Sequence, residues 1–175
     1  MATPMVVGGI SDKLNLIVSL PYVKTAASGG QLAGVNGIQD LGVSLKAKVV
    51  DQTLGKGKLL LFSNLNVSAP ATNYLADYMP FSIGAGAKEL SIRAITQYEL
   101  DQGPYLRASF AYLLRGETQA ERDFYVNNHA FYTSQVDVPN AIHGQVAVGC
   151  WFLSKKLRVE TSFTTFRCTS GDNIR

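Results

Sequence analysis

The sequence is poor in charged residues and contains no long apolar run. Asp, Glu, Lys and Arg make up 17% of its 175 residues, whereas soluble domains typically contain about a quarter. No apolar stretch reaches the roughly eighteen residues that a transmembrane helix needs, so a helical membrane span is excluded. The net charge of +3 is spread along the chain, so we expect no nucleic-acid partner.

The sequence also lacks the residues of a metal site or a disulfide framework. Cys150 and Cys168 are its only cysteines, and they have no metal-ligand spacing, so we expect no metal and no cofactor. Residues 1–9 show no basic segment followed by an apolar run, so no signal peptide is visible. An exported protein without one would be a mature form or a fragment. Because the first strand is partial and the polar tail 169–175 stands where a long loop should begin, we expect a chain that is truncated at both ends.

What the sequence does contain is a strict alternation of apolar and polar residues, clearest in residues 89–114. Its even positions are mostly apolar and its odd positions mostly polar, a period of two that predicts two β-strands. The segment Asp-Gln-Gly at 101–103 is typical of a hairpin loop. This loop places Tyr98 opposite Leu106 and Ala94 opposite Phe110, and the apolar pattern fixes the same register.

The same alternation predicts further strands over residues 13–23, 38–50, 58–69, 140–152 and 157–168, and the end of a strand over residues 1–7. Pro21 cannot donate to a strand ladder, so it predicts a strand end or a bulge. We therefore predict an all-β, antiparallel up-and-down meander of about seven full strands plus one partial strand, in a single domain over residues 1–175. The predicted register of the last two strands places Cys150 and Cys168 roughly 30 Å apart, too far for a disulfide.

The lengths of the predicted loops alternate along the chain. Short turns near Ser11, Leu54, Gln102 and Ser154 lie at one end of the strand array, and long loops over 24–37, 70–87 and 115–137 lie at the other. Bacterial outer-membrane barrels have this asymmetry, whereas a β-sandwich has no reason to sort its loops by end. The predicted strands are also longer than the usual five or six residues of soluble strands. We therefore expect part of a transmembrane β-barrel in the bacterial outer membrane, with an open or barely closed sheet.

In such a barrel the apolar face meets outer-membrane lipid and the polar face lines a lumen. We expect Tyr22, Tyr98 and Tyr112, on apolar faces near strand ends, to form an interfacial girdle. The candidate lumen-lining residues are Asp40, Lys46, Lys48, Glu89, Arg93, Gln97, Glu99, Arg107, His143, Gln145, Arg158 and Glu160. They would either select solutes or pair with one another across strands, as Glu99 and Arg107 could.

A catalytic role for His143 has little support in the sequence. Ser109 and Ser162 are possible nucleophiles, but no spacing ties either of them to His143 and an orienting carboxylate. We therefore expect no catalytic residues and no enzymatic activity.

Several short motifs add a family resemblance to this pattern. They are GISDKLNL at 9–16, LPYV at 20–23, GIQDLGV at 37–43 with Lys46, LLRG at 113–116 and VDVPN at 136–140. In these segments the chain resembles a family of outer-membrane transporters named for the meta-pathway of phenol degradation. The resemblance implies a barrel, placement in the outer membrane and passage of small organic solutes, aromatic ones among them.

Two other functional classes fit the same sequence. One is a soluble antiparallel barrel or sandwich that binds a hydrophobic ligand between its long loops. The other is a structural outer-membrane barrel with a plugged lumen. The sequence leaves the transported solute, the pore width and the oligomeric state open.

Overall fold

The computed structural model of the chain describes residues 1–26, 33–76, 82–120, 125–126, 132–153 and 156–171. Strands dominate these residues: β1 (Met5–Ser11), β2 (Leu14–Ser19), β3 (Tyr22–Lys24), β4 (Asn36–Ile38), β5 (Asp40–Leu54), β6 (Gly57–Pro70), β7 (Glu89–Leu100), β8 (Pro104–Arg115), β9 (Glu117–Gln119), β10 (Tyr125–Val126), β11 (Tyr132–Thr133), β12 (Gln135–Asp137), β13 (Ala141–Phe152) and β14 (Leu157–Cys168). None of the described residues belongs to a helix long and apolar enough to cross a membrane.

One antiparallel sheet of eight strands forms the body of the molecule, in the order β1-β2-β5-β6-β7-β8-β13-β14. The eight strands lie side by side in the order in which they occur along the chain. The short strands β3, β4 and β9 to β12 lie in the connections between them and form separate two-stranded ladders. The sheet is not closed: within the described residues, β1 and β14 each have one neighbour. The predicted all-β meander is therefore confirmed, and so is the expectation of an open sheet.

The β7–β8 hairpin has the register that its sequence predicts. Tyr98 pairs with Leu106, and Ala94 pairs with Phe110. Gly103 closes the turn with φ 108, and its N–H donates to the carbonyl of Leu100 at 2.9 Å. A Cβ at Gly103 would lie 2.5 Å from the carbonyl oxygen of Trp151, so both backbone conformation and space require glycine there.

The first strand lies later in the chain than predicted. The sequence places a strand end at residues 1–7 and a turn at 8–12, whereas β1 covers Met5–Ser11. Gly8 and Gly9 pair with Leu16 and Asn15 of β2, so ladder hydrogen bonds override the preference of glycine for turns.

Two predicted strands are interrupted at the long-loop end of the sheet. The predicted strand 13–23 breaks at Leu20 and Pro21, as Pro21 indicates, and 38–50 breaks at Gln39. The Gln39 N–H donates to the carbonyl of Pro21 at 2.9 Å, and beyond these residues β3 and β4 pair with each other. Part of the predicted loop 24–37 is therefore strand.

A β-bulge in β5 explains why this strand is longer than predicted. The register shifts between Lys48 and Val50, leaving Val49 opposite no residue of its own. After the bulge β5 continues to Leu54, and the turn that the sequence places at 51–57 narrows to residues 55–56, where Gly55 has φ 61. The bulge also brings Asp51 onto the same face as Lys48.

The third long connection is also partly strand. The sequence predicts a loop over 115–137, but β8 includes Arg115, and β9 pairs with β12 directly beyond it. The described parts of the loop 70–87 contain no strand after Pro70, as predicted. The turn predicted near Ser154 lies outside the described residues.

The two cysteines lie at opposite ends of the β13–β14 pair. Cys150 pairs with Val159, and Cys168 pairs with Ala141. Both thiols are free, which confirms the prediction that they are not bonded to each other.

The two faces of the sheet are exposed to very different degrees. On the apolar face, large side chains are exposed across the sheet, such as Val67 at 53%, Phe110 at 56% and Val148 at 59%. On the polar face, side chains cover one another, and Tyr105 and Ala147 are buried. This exposure is the reverse of what a soluble sheet with an apolar core would show, and no described segment forms a second layer over the apolar face.

Candidate functional site

All of the candidate residues that the sequence singled out lie on the polar face of the sheet. Their positions follow from the register, since residues directly opposite one another share a face. Every one is half-buried except Arg158, which is exposed: Asp40, Lys46, Lys48, Glu89, Arg93, Gln97, Glu99, Arg107, His143, Gln145, Arg158 and Glu160. The alternation pattern alone therefore assembles them on one surface.

One row of paired residues crosses the middle of the polar face from β2 to β14. We call this the central row; it consists of Asn15, Lys46, Asn64, Arg93, Ala111, His143 and Phe166, each opposite the next. The row contains cations and amides but no carboxylate. The carboxylates of the main sheet lie nearer the ends of the strands. Asp51, Glu99 and Glu160 lie toward the short turns, and Asp40 and Glu89 lie toward the long loops.

Arg93 and His143 meet across the small side chain of Ala111. The Arg93 Nη1 lies 3.0 Å from His143 Nδ1 and 3.3 Å from the Ser109 hydroxyl oxygen. Because a guanidinium can only donate, His143 Nδ1 accepts and its proton lies on Nε2. The neighbour of His143 at Nδ1 is thus a cation and not the orienting carboxylate of a catalytic triad.

A second cluster surrounds Glu160 near the short-turn end of the sheet. Arg107 donates to the Glu160 carboxylate at 2.5 Å, and Arg158 and the Tyr105 hydroxyl donate to its other oxygen. Arg158 also lies over the Trp151 ring, 5.5 Å from the centroid. Arg107, which the sequence suggested as a partner of Glu99, therefore makes its salt bridge with a strand two positions away in the sheet.

Gly149 makes this cluster possible. It lies opposite both Tyr105 and Glu160, on the strand between theirs. A Cβ at Gly149 would lie 2.4 Å from the Tyr105 hydroxyl oxygen, so the tyrosine ring crosses the strand over the glycine backbone. This arrangement covers the bare backbone of Gly149 and brings the hydroxyl to Glu160.

A third cluster forms on β5 and β6. Lys48 and Lys58 each contact Asp51 at 2.8 Å, an arrangement that depends on the bulge in β5. Lys46 forms no salt bridge with any described residue; its ammonium lies 4.7 Å from the centroid of the Phe62 ring.

Other polar contacts hold the long-loop end. Arg115 forms a salt bridge of 2.9 Å with Glu89, its direct partner in the ladder. Tyr74, in the loop after β6, donates to Asp40 at 2.5 Å and accepts from the Gly86 N–H at 3.0 Å. Burial and the hydrogen bond to Asp40 raise the pKa of Tyr74 far above its ordinary value, so the phenol stays protonated.

A pocket of about 630 Å³ opens at the long-loop end, between residues 70–75 and the β9–β12 ladder. Its lining includes Tyr74, Thr118 and Ser134. Among the described ranges, no three His, Cys, Asp or Glu side chains lie close enough together to hold a metal ion.

The sequence missed several residues of these clusters. Trp151 shares the odd positions of His143 and Gln145, which predict it on the polar face, but its contact with Arg158 was not predicted. Tyr105 shares the odd positions of Arg107 and Ser109, a signal that could have placed it on this face, but its contact with Glu160 crosses an intervening strand. Asp51 gives no such signal, because only the bulge moves it onto this face.

The chain matches no known protein-family model and no curated protein.

Proposed function

We propose that this sheet is the wall of an outer-membrane β-barrel whose polar face lines the lumen, and that the protein is a passive channel for small organic solutes. The observation that carries the proposal is the reversed exposure of the two faces. Side chains such as Ile92, Phe110 and Val148 are more than half exposed on the apolar face, while most of the charged residues on the polar face are half-buried. A soluble monomer rarely exposes a contiguous apolar surface of this extent, whereas lipid requires one.

Strand length supports the same proposal. β7, β8, β13 and β14 each have 12 residues. At about 3.3 Å per residue and a tilt of about 40°, such a strand rises roughly 28 Å, close to the thickness of the hydrocarbon core. β1 and β2 are shorter, at 7 and 6 residues.

The placement of the connections also supports a membrane barrel. Short turns join β1 to β2, β5 to β6 and β7 to β8, and the long connections leave from the opposite end of the sheet. In outer-membrane barrels the long loops are extracellular and the short turns periplasmic. In this arrangement the 630 Å³ pocket lies at the extracellular mouth of the channel.

The resemblance to the phenol meta-pathway transporters supports small organic solutes, aromatic ones among them, as the cargo. The geometry around His143 supports a role other than catalysis, because its Nδ1 faces Arg93. The soluble sandwich has less support, because it would need the apolar face as its core.

Extraction and conductance test the two parts of this proposal separately. We expect the protein to require detergent for extraction from membranes, and the purified protein to produce stepwise conductance in planar bilayers with KCl. A chain that stays monodisperse without detergent would contradict the barrel. A detergent-requiring protein with no conductance would contradict the channel and would indicate a plugged barrel.

A further inference from the structure

One wall of the pocket at the long-loop end is fastened to the strands below it. The Ala71 N–H donates to the carbonyl of Gln39 at 3.0 Å, and the Thr72 hydroxyl donates to the carbonyl of Ile38 at 2.6 Å. These bonds hold the chain after β6 against the junction of β4 and β5. This wall is therefore formed before any ligand enters, as in most small-molecule sites.

Two glycines join this wall to the opposite one. A Cβ at Gly84 would clash with the Tyr74 ring, so the ring lies directly against the bare backbone there. A Cβ at Gly86, which has φ 67, would clash with the Thr118 hydroxyl of β9. The segment 82–86 thus packs against both Tyr74 and Thr118. The pocket of about 630 Å³ between the two walls lies within the size range of small-molecule sites.

The polar side chains that line the pocket carry amides and hydroxyls. Asn73 and Gln119 supply amides, and Thr118 and Ser134 supply hydroxyls. Within the part of the chain that the structure describes, none of these four side chains makes a hydrogen bond. An amide offers donors and acceptors, and so does a hydroxyl. A ligand that satisfies this lining must therefore both donate and accept hydrogen bonds.

The rest of the lining is apolar or uncharged. Pro70, Leu75, Ala120 and the Tyr74 ring supply apolar surface, and the described lining contains no charged side chain. A charged ligand would lose hydration here without meeting a charge of opposite sign. A sugar has the matching two kinds of surface, because its hydroxyls both donate and accept while its ring C–H groups form an apolar face.

We propose that this pocket binds a neutral saccharide, either a free sugar or one unit of a glycan. The amides of Asn73 and Gln119 bond to the sugar hydroxyls, and the apolar face of the sugar lies against Tyr74 and Leu75. This inference goes beyond the proposed channel, since binding in the pocket requires neither conductance nor a lipid-facing sheet. Only the position of the site at an extracellular mouth rests on the proposed function.

Isothermal titration calorimetry on the purified full chain measures binding without any transport step. The detergent is lauryldimethylamine oxide, which has no sugar headgroup. The probes are glucose, galactose and mannose, each compared with its own uronate, which replaces the C6 hydroxymethyl group by a carboxylate. We expect at least one neutral sugar to bind at least about tenfold more tightly than its uronate, because the carboxylate finds no cation in the described lining.

The linear trisaccharide of the sugar that binds distinguishes the two sources. A site for one unit of a glycan binds the trisaccharide more tightly than the single sugar, whereas a site for a free sugar does not.

Two variants and one control locate the site. Asn73→Asp and Gln119→Glu keep the shape of each exposed side chain but remove its N–H donors, so each should weaken binding of the neutral sugar about tenfold. Gln52→Glu makes the same change at an exposed position near the short-turn end of β5. It should leave sugar binding unchanged.

Failure of all three neutral sugars to bind would overturn the inference, as would uronates that bind as tightly as their neutral counterparts. Undiminished binding in both Asn73→Asp and Gln119→Glu would also overturn it. The channel is judged separately by its conductance in KCl. Conductance without sugar binding leaves the channel and removes this site, whereas sugar binding without conductance removes the channel and leaves the site.

Discussion

Small residues on the polar face determine which charged groups can meet. Ala111 separates Arg93 from His143, and Gly149 separates Tyr105 from Glu160. In each case the side chains of the two flanking strands make contact over the strand between them. A larger residue at the middle position would fill the space that these contacts use.

Gly149→Ala should therefore be costly for a single methyl group. Its Cβ would lie 2.5 Å from the Tyr105 ring and 2.7 Å from the backbone oxygen of Val159, which cannot move as a flexible side chain can. We expect the free energy of unfolding to fall by about 1–3 kcal/mol, as in other overpacked sites. Urea unfolding in lipid vesicles, followed by the fluorescence of Trp151, measures this change.

Gly8→Ala is the matched control for this substitution. Gly8 lies in the edge strand β1, and a Cβ there would meet nothing within 4 Å. We expect a change within about 0.5 kcal/mol. Equal losses for the two variants would show that Tyr105 does not cross over Gly149.

Among the strands, the bulge in β5 gives the sharpest test of the assigned faces. Deleting Val49 removes the extra residue but leaves Lys48 opposite Phe62, on the polar face. Deleting Ala47 instead shifts Lys48 to a position opposite Ser63, on the apolar face, and places Val49 opposite Phe62. Both variants lose one residue and the bulge. They differ in whether Lys48 lies on the polar face or on the apolar face.

We expect the Ala47 deletion to be less stable than the Val49 deletion by about 1–3 kcal/mol. A lysine on the lipid-facing side costs up to about 2–4 kcal/mol at the midplane and less near the interface. The contact of Lys48 with Asp51 is also lost. Unfolding in urea in the presence of lipid vesicles compares the two proteins, and equal stabilities would contradict either the position of the bulge or the lipid-facing assignment.

The sequence predicts most of the main sheet because apolar and polar residues alternate with few breaks within its long strands. The hairpin register and the faces of all candidate residues follow from that period. The bulge at Val49 could not be predicted, since the residues beyond it resemble a turn, with Gly55 and Gly57 close by. The turn predicted at residues 8–12 was wrong for a similar reason. Glycine is typical of turns, but Gly8 and Gly9 pair with β2, and the presence of that partner strand could not be read from the glycines themselves.

The candidate site was predicted less completely than the sheet. Alternation places Arg93 and Glu160 on the polar face, but each finds its partner two strands away. Such contacts depend on the small residue between the partners and on the reach of each side chain.

For the molecule as a whole, the environment of the apolar face can be tested by placing a charge on it. Ala94 is exposed in the middle of β7 on the apolar face. If this face meets lipid, Ala94→Arg should cost about 2–4 kcal/mol of folding free energy, while Ser91→Arg on the polar face should cost much less. If it met water, Arg at an exposed position would change stability by no more than about 0.5 kcal/mol. Folding titrations of both variants in lipid vesicles distinguish the two environments.

The charge of the polar face gives a second prediction at this scale. In the main sheet it carries the cations Lys46, Lys48, Lys58, Arg93, Arg107, Arg115 and Arg158 against the acids Asp40, Asp51, Glu89, Glu99 and Glu160. A lumen with this excess of cations should prefer anions. Replacing Arg93 and Arg107 by Gln removes the excess of two, so we expect the preference to disappear.

Reversal potentials in a KCl gradient across planar bilayers measure this preference. The double variant should still fold and conduct, with a potential shifted toward that of an unselective pore. A selectivity that the double substitution leaves unchanged would show that ions do not pass along the polar face.

The central row has a consequence that depends on strand tilt. In a closed barrel the strands lean about 35–45° from the axis. A line of residues drawn along the hydrogen bonds therefore does not form a level ring but climbs around the wall as a spiral. At about 4.8 Å between strands, each step rises roughly 3 Å along the axis. Lys46 and His143 are separated by four such steps and so differ in depth by roughly 12 Å. An anion passing through the lumen would therefore meet Lys46, Arg93 and His143 one after another, each at a different depth.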